Sequence, residues 1–244
     1  MNKIRIIPRI DLKNNDVVKG YHLEGWKKIG DPIELAYYYY KNCCDEIIFI
    51  DSVASLFSRK KIISIIKELS KSVFVPITIG GGIRSMNDVD DMFHVGADKI
   101  AINTVCFDNI EIIRQISQKY GSQSIVLSVQ AKKFESNKWL AFKEAARDNT
   151  HIEVKDWIKK CEDIGIGELL ITSIDNDGCE NGLDINLYEQ IKKITNLPII
   201  AGGGFGSLQD VAEIKKLNLS GIAIAKMFHS KKISPFEIKK FLEI

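Results

Sequence analysis

The stretch FVPITIGGGIRSMNDV (74–89) returns as NLPIIAGGGFGSLQDV (196–211), an offset of 122 residues in a chain of 244. The same offset carries Glu46-Ile47-Ile48 onto Glu168-Leu169-Leu170, and Ile100-Ala101-Ile102 onto Ile222-Ala223-Ile224. A repeat near half the chain length is too long for a solenoid period and describes two equivalent halves. Within the halves, short β-branched apolar runs alternate with longer amphipathic stretches. The runs are RIIPRIDL (5–12), EIIFIDSVA (46–54), VPITIGGG (75–82), KIAINTV (99–105), SIVLSVQA (124–131), ELLITSI (168–174), LPIIAGGG (197–204) and GIAIAKMF (221–228). Apolar runs without alternation suit parallel strands buried on both faces. The segments between them, such as 31–42, 58–72 and 108–121, are predicted helices. Asp31-Pro32 and Asp108-Asn109 are predicted helix starts. Eight such units define an α/β fold, a (β/α)8 TIM barrel built of two half-barrel repeats. The barrel is expected to fill residues 1–244 as a single domain. Segment 132–151 is predicted to be an extended loop with at most a small hairpin.

Composition narrows the partners. The formal net charge is +2, and the Lys and Arg residues are dispersed, so no nucleic-acid face is expected. No apolar run reaches the length of a membrane span, and the N-terminus lacks a signal-peptide core. Five cysteines without CxxC spacing read as free thiols in a cytoplasmic protein. The four histidines show no ligand spacing, so neither a metal nor a cofactor is expected.

Barrels of this kind work at the C-terminal ends of their strands. Gly80-Gly81-Gly82 and Gly202-Gly203-Gly204 lie there, in equivalent places of the two halves. Glycine lets backbone N–H groups approach a phosphate closely. The strands that follow end in Asn103-Thr104 and Ala225-Lys226, which add an amide, a hydroxyl and an ammonium. Two phosphate sites are therefore expected across the mouth. Asp11 and Gln130 are polar residues ending buried runs one and five, which face each other in an eight-stranded barrel. They are candidates to act on one substrate, although an amide can orient but not exchange a proton near neutral pH. Asp51, Asp175 and Asp177 sit at or past strand ends. Lys19, in the predicted first loop, can close over a phosphate. At the opposite end Arg5, Glu46, Lys99 and Glu168 stand at strand starts, as a structural ion-pair ring or a charged plug.

These motifs together resemble a known family. RIIPRIDLK, VVKGYHLEG with GDPIELA, DEIIFID, PITIGGGIRS, GADKIAINT, GSQSIV, GELLITSIDNDG and PIIAGGG followed by FH are similar to HisF, the cyclase subunit of imidazole glycerol phosphate synthase. The resemblance runs from residue 4 to about residue 229, and GADKIAINT, GSQSIV and TSIDNDG favour HisF over the related isomerase barrel HisA. It implies a heterodimer with a HisH-like glutaminase. Ammonia would enter the barrel base and attack the bisphosphorylated ribulosyl intermediate PRFAR at the mouth. The products would be imidazole glycerol phosphate and an aminoimidazole carboxamide ribotide, a step of histidine biosynthesis. Asp11 then matches the first catalytic aspartate, and Gln130 stands where the second is expected. Gly82, Asn103 and Thr104, with Gly81 beside them, match one phosphate site. Gly203, Gly204 and Ala225 match the other. Arg5, Glu46, Lys99 and Glu168 match the ammonia gate, and Asp98 matches a contact to the glutaminase.

The departures fall at the mouth. Besides Gln130, Lys226 replaces a serine, Arg9 replaces a cysteine, Glu144-Ala145-Ala146-Arg147 replaces His-Gly-Gly-Arg, and His151 replaces a glycine. Two alternatives therefore stand beside the histidine-pathway cyclase. One is a paralogue delivering ammonia to another acceptor, such as an acetamido sugar of surface-glycan synthesis. The other is a non-catalytic scaffold for the glutaminase.

Overall fold

The computed structural model describes residues 3–52 and 56–243. The strands are β1 (Arg5–Lys13), β2 (Asp16–Tyr21), β3 (Glu24–Gly30), β4 (Ile47–Asp51), β5 (Ile77–Gly80), β6 (Lys99–Ile102), β7 (Ile125–Glu135), β8 (Lys138–Lys143), β9 (Asp148–Glu153), β10 (Glu168–Ser173), β11 (Ile199–Gly202) and β12 (Gly221–Ile224). Eight of them, β1, β4, β5, β6, β7, β10, β11 and β12, pair in parallel in that order, and β12 returns to β1 through Arg5↔Gly221 and Ile7↔Ala223. The expected eight-stranded parallel barrel is the observed architecture, and each predicted run supplies its strand; positions 53 and 54 of the second run lie outside the described residues.

The helices are α1 (Pro32–Lys41), α2 (Leu56–Leu69), α3 (Met86–His94), α4 (Thr104–Asp108), α5 (Glu111–Tyr120), α6 (Val154–Glu162), α7 (Ile185–Lys192), α8 (Leu208–Leu217), α9 (Lys226–His229) and α10 (Pro235–Leu242). Asp31 starts α1 as expected: its Oδ1 accepts the N–H groups of Ile33 at 2.8 Å and Glu34 at 3.0 Å, with Pro32 in the first turn. The start predicted at Asp108-Asn109 is corrected. Asp108 ends the short α4, and α5 begins only at Glu111 after Ile110. The repeat survives in the caps: Ser85 with Asp88 opens α3 and Ser207 with Asp210 opens α8, each as a reciprocal capping box, 122 residues apart.

Alternation along each barrel strand splits the core in two. Ile6, Ile10, Ile47, Phe49 and Ile79 face outward into the layer under the helices. Ile7, Ile48, Ala101, Val126, Leu170, Ile200 and Ala223 face the axis and form a separate inner cluster. Both faces are dry, which is why the runs read as continuously apolar.

Two strands overrun the barrel. β1 continues into an antiparallel hairpin with β2, which pairs with β3, so Lys19 belongs to a strand and not to the predicted loop. β7 continues likewise, pairing with β8 and β8 with β9. Segment 132–151, expected as an extended loop with at most a small hairpin, is a three-stranded extension made of the end of β7, β8 and β9 with two turns, because backbone ladders replace solvent as the partner of its N–H and C=O groups. Its turn holds Glu144, Ala145 and Ala146 at φ of 54°, 54° and 67°. Left-handed backbone costs an L-residue about 1–2 kcal/mol, which glycine avoids at some entropic loss. Ala145→Gly and Ala146→Gly should each raise stability by about 0.5–1 kcal/mol, read as a higher urea midpoint at unchanged slope.

Candidate active site at the barrel mouth

The period-two register arranges chemistry in columns along the axis. On β1, Arg5, Ile7, Arg9 and Asp11 alternate inward from base to mouth. On β10 the column is Glu168, Leu170 and Thr172.

At the base, Arg5 and Lys99 each bridge Glu46 and Glu168. Arg5 lies 2.7 Å from Glu46 and also pairs with Glu168; Lys99 lies 3.1 Å from Glu46 and 2.7 Å from Glu168. Signs alternate around a closed ring. Thr78 of β5 donates to the second oxygen of Glu46 at 2.6 Å. Both carboxylates are buried, while the two cations are partly open to solvent at the base. Asp98 is exposed beside Lys99, and its carboxylate accepts the Ile77 N–H at 2.8 Å, capping the start of β5.

At the mouth is a cavity of about 520 Å³. Its walls bring together Asp11, Lys19, Asp51, Gly81, Gly82, Asn103, Thr104 and Gln130, so the expected pair and the first phosphate cradle share one space. Gly81 has φ +84°, and a Cβ there would lie 2.1 Å from the Asp51 carbonyl oxygen, so only glycine fits. Asn103 Nδ2 donates to the Ser128 carbonyl at 2.8 Å and the Phe142 carbonyl at 3.2 Å. Thr104 Oγ1 accepts the Glu144 N–H at 3.2 Å, and Gln130 Oε1 accepts the Ala146 N–H at 2.7 Å. Gln130 thereby anchors the β8–β9 turn.

The second cradle does not line this cavity. Gly182 of the β10–α7 segment donates its N–H to the Gly204 carbonyl at 2.9 Å and lies against that glycine. Gly203 has φ +85°, matching Gly81, and Ala225 precedes α9 as Asn103 precedes α4. Lys226 turns to the neighbouring segment. Its Nζ donates to the Gly178 carbonyl at 2.6 Å, lies 3.6 Å from Glu180 and sits 3.8 Å from the Tyr21 ring centroid.

Arg9 is the residue the sequence reading left out of the site. It is buried, lines the cavity, and crosses the lumen from β1 to β10. Its Nε and Nη2 each lie 2.9 Å from Asp11 Oδ1, and Nη1 donates to Thr172 Oγ1 at 3.0 Å. Lys19 lies 3.6 Å from Asp11 Oδ2 and 2.7 Å from Asp177. Burial pushes the Asp11 carboxyl up, but the charges of Arg9 and Lys19 and the Arg9 hydrogen bond outweigh it, holding it below the ordinary carboxylate range. The missed signal was register: Arg9 shares the inward parity of Arg5, Ile7 and Asp11.

The whole-chain comparisons agree with this geometry. The family model described as histidine biosynthesis protein matches residues 5–234. The imidazole glycerol phosphate synthase subunit HisF of Prochlorococcus marinus (strain MIT 9515) is 40% identical over 99% of this chain and 95% of its own length. That of Lactococcus lactis subsp. cremoris (strain SK11) is 40% identical over 98% and 93%. That of Legionella pneumophila is 41% identical over 86% and 99%. A parallel barrel with its polar cavity at the strand ends defines the class, a (β/α)8 enzyme. The chain belongs to the histidine biosynthesis protein family and is an enzyme subunit of the HisF type.

His229, buried at the end of α9, lies within reach of the charges of the same network. Its Nδ1 lies 2.7 Å from the Tyr39 hydroxyl. Burial drives its pKa down to about 4 from 6.5, with Asp11 opposing and Lys19 reinforcing. The unfolded chain protonates this imidazole near pH 6.5 and the folded protein only near 4, so stability falls as pH falls through that window and levels off below it. Between about pH 7.5 and pH 5 this histidine should cost about 2 kcal/mol. The loss should shrink by that amount in His229→Gln, measured by urea unfolding at both pH values.

Proposed function

We propose that the chain is the ammonia-using synthase subunit of a glutamine amidotransferase complex. A HisH-like glutaminase would dock at the barrel base near Asp98 and release ammonia beside the ring of Arg5, Glu46, Lys99 and Glu168. The acceptor would be held at the mouth. The observation that carries this reading is the pairing, on one barrel axis, of a charged ring at the base with a polar cavity around Asp11 at the mouth. Family membership makes PRFAR the first acceptor to consider, cyclised to imidazole glycerol phosphate with release of the ribotide. Gly81, Gly82, Asn103 and Thr104 would hold one phosphate, and Gly203, Gly204, Ala225 and Lys226 the other. Asp11 would exchange protons with the reacting centre, and Lys19, Asp51 and Asp177 would orient it.

A second reading, a paralogue serving a different ammonia acceptor such as an acetamido sugar, is favoured by two observations. Gln130 is a neutral amide whose oxygen is taken by the Ala146 N–H, and Asp11 is held by Arg9. Both readings need ammonia at the mouth. Among the described residues no helix is long and apolar enough to cross a membrane.

Purified protein with saturating ammonium should turn over PRFAR, and Gln130→Asp should raise the rate by on the order of 10²–10⁴ if a second carboxylate restores proton transfer. No turnover by folded wild type moves the assignment to another acceptor. Ammonium-dependent turnover of any acceptor excludes a purely scaffolding role. With the glutaminase bound, Glu46→Gln should depress glutamine-dependent turnover more than ammonium-dependent turnover, because only the first route passes the ring.

A further inference from the structure

Arg9 is more than a counter-ion to Asp11. Nε and one N–H of Nη2 face Asp11 Oδ1, and one N–H of Nη1 goes to Thr172 Oγ1. Nη1 and Nη2 each keep a second N–H that no described residue takes up, and Arg9 lines the cavity. The side chain is fixed at both edges and is itself buried in the cavity wall. Lys19 is committed elsewhere, with both oxygens of Asp177 within 2.9 Å. Among the cations of this buried network, Arg9 alone combines a fixed position with donors to spare. Fixed donors stabilise negative charge that develops during reaction.

We infer that Arg9 is a catalytic residue whose guanidinium forms an oxyanion subsite in the mouth, taking the charge that develops on the carbonyl oxygen of the ammonia acceptor. The inference rests on the ammonia-using reading above and holds for either acceptor. In the step assigned to it, the ammonia lone pair forms a C–N bond to the carbonyl carbon while the C=O π pair moves onto oxygen, where the free N–H groups of Arg9 receive it. The nitrogen then gives its excess proton to Asp11, which passes it to that oxygen, leaving a carbinolamine. No oxidant or reductant is involved. Gln130, opposite Asp11, orients the acceptor and moves no proton.

The test compares ligands that share a phosphate and differ in an oxyanion. Full-length protein is titrated calorimetrically with glycerol phosphate and with phosphoglycolate, phosphoglycerate and phosphoerythronate, a series in which the carboxylate steps away from the phosphate. At least one carboxylate should bind about tenfold or more tighter than glycerol phosphate, as a charge-assisted hydrogen bond allows. Arg9→Gln should bring that ratio to about one, the carboxylate ligands losing more affinity than glycerol phosphate does. Arg9→Lys, which keeps the charge and so the fold but loses the fork, should lose most of the preference. With an acceptor that wild type turns over, Arg9→Gln should lower kcat by on the order of 10²–10³ with little change in KM. A wild type without carboxylate preference, or a preference that survives in Arg9→Gln and Arg9→Lys, overturns the assignment of Arg9. Failure of folded wild type to bind any of the phosphate esters overturns the reading of the mouth itself, and this inference with it.

Discussion

Closure of eight parallel strands leaves room on the axis for one side chain in two, and the rest of this molecule follows from that constraint. Arg5, Ile7, Arg9 and Asp11 are consecutive inward positions of one strand, so a single register fixes a base charge, a core residue and two mouth charges together. A slip of one residue would turn Ile10 and Leu12 into the mouth and drive Arg9 and Asp11 under the helices. The inner apolar cluster, from Ile7 to Ala223, holds that register because every member is nearly inaccessible.

Two neutral tetrads lie at the ends of this cluster. At the base Arg5, Glu46, Lys99 and Glu168 alternate in sign around the ring; at the mouth Arg9, Asp11, Lys19 and Asp177 alternate along a chain. Buried charges of one sign would neutralise or open the fold, whereas balanced sets are tolerated when geometry and hydrogen bonds are good. The base ring closes on itself. The mouth chain ends at Arg9 with donors free, and that asymmetry separates a structural cluster from one able to engage a ligand.

The architecture was legible because its signals are local: the continuous apolar runs, the glycine triplets and the repeat between the halves. The base ring was legible too, since Arg5, Glu46, Lys99 and Glu168 each stand at a strand start. Four features were not. The hairpins built on β1 and β7 lack the apolar alternation that announces a strand, and the ladders that order them come from distant pairing. The start of α5 was misplaced because Asp108 resembles a cap but ends α4 before α5 begins. Arg9 was noticed only as a replaced cysteine; its place in the site depends on parity and on Thr172, three strands away around the barrel. Similarly, nothing local to Lys226 foretells its clasp on Gly178 and Tyr21.

The hairpins extend the same two strands that carry Asp11 and Gln130, and those strands lie diametrically opposite in the barrel. The walls of the mouth are therefore not flaps on hinges. Each is the free arm of a lever whose fulcrum is the barrel rim and whose short arm bears a site residue. Each tip and its site residue are joined by one continuous hydrogen-bonded ribbon, so their positions are coupled. Anything that grips both tips reports on, and biases, the spacing between Asp11 and Gln130.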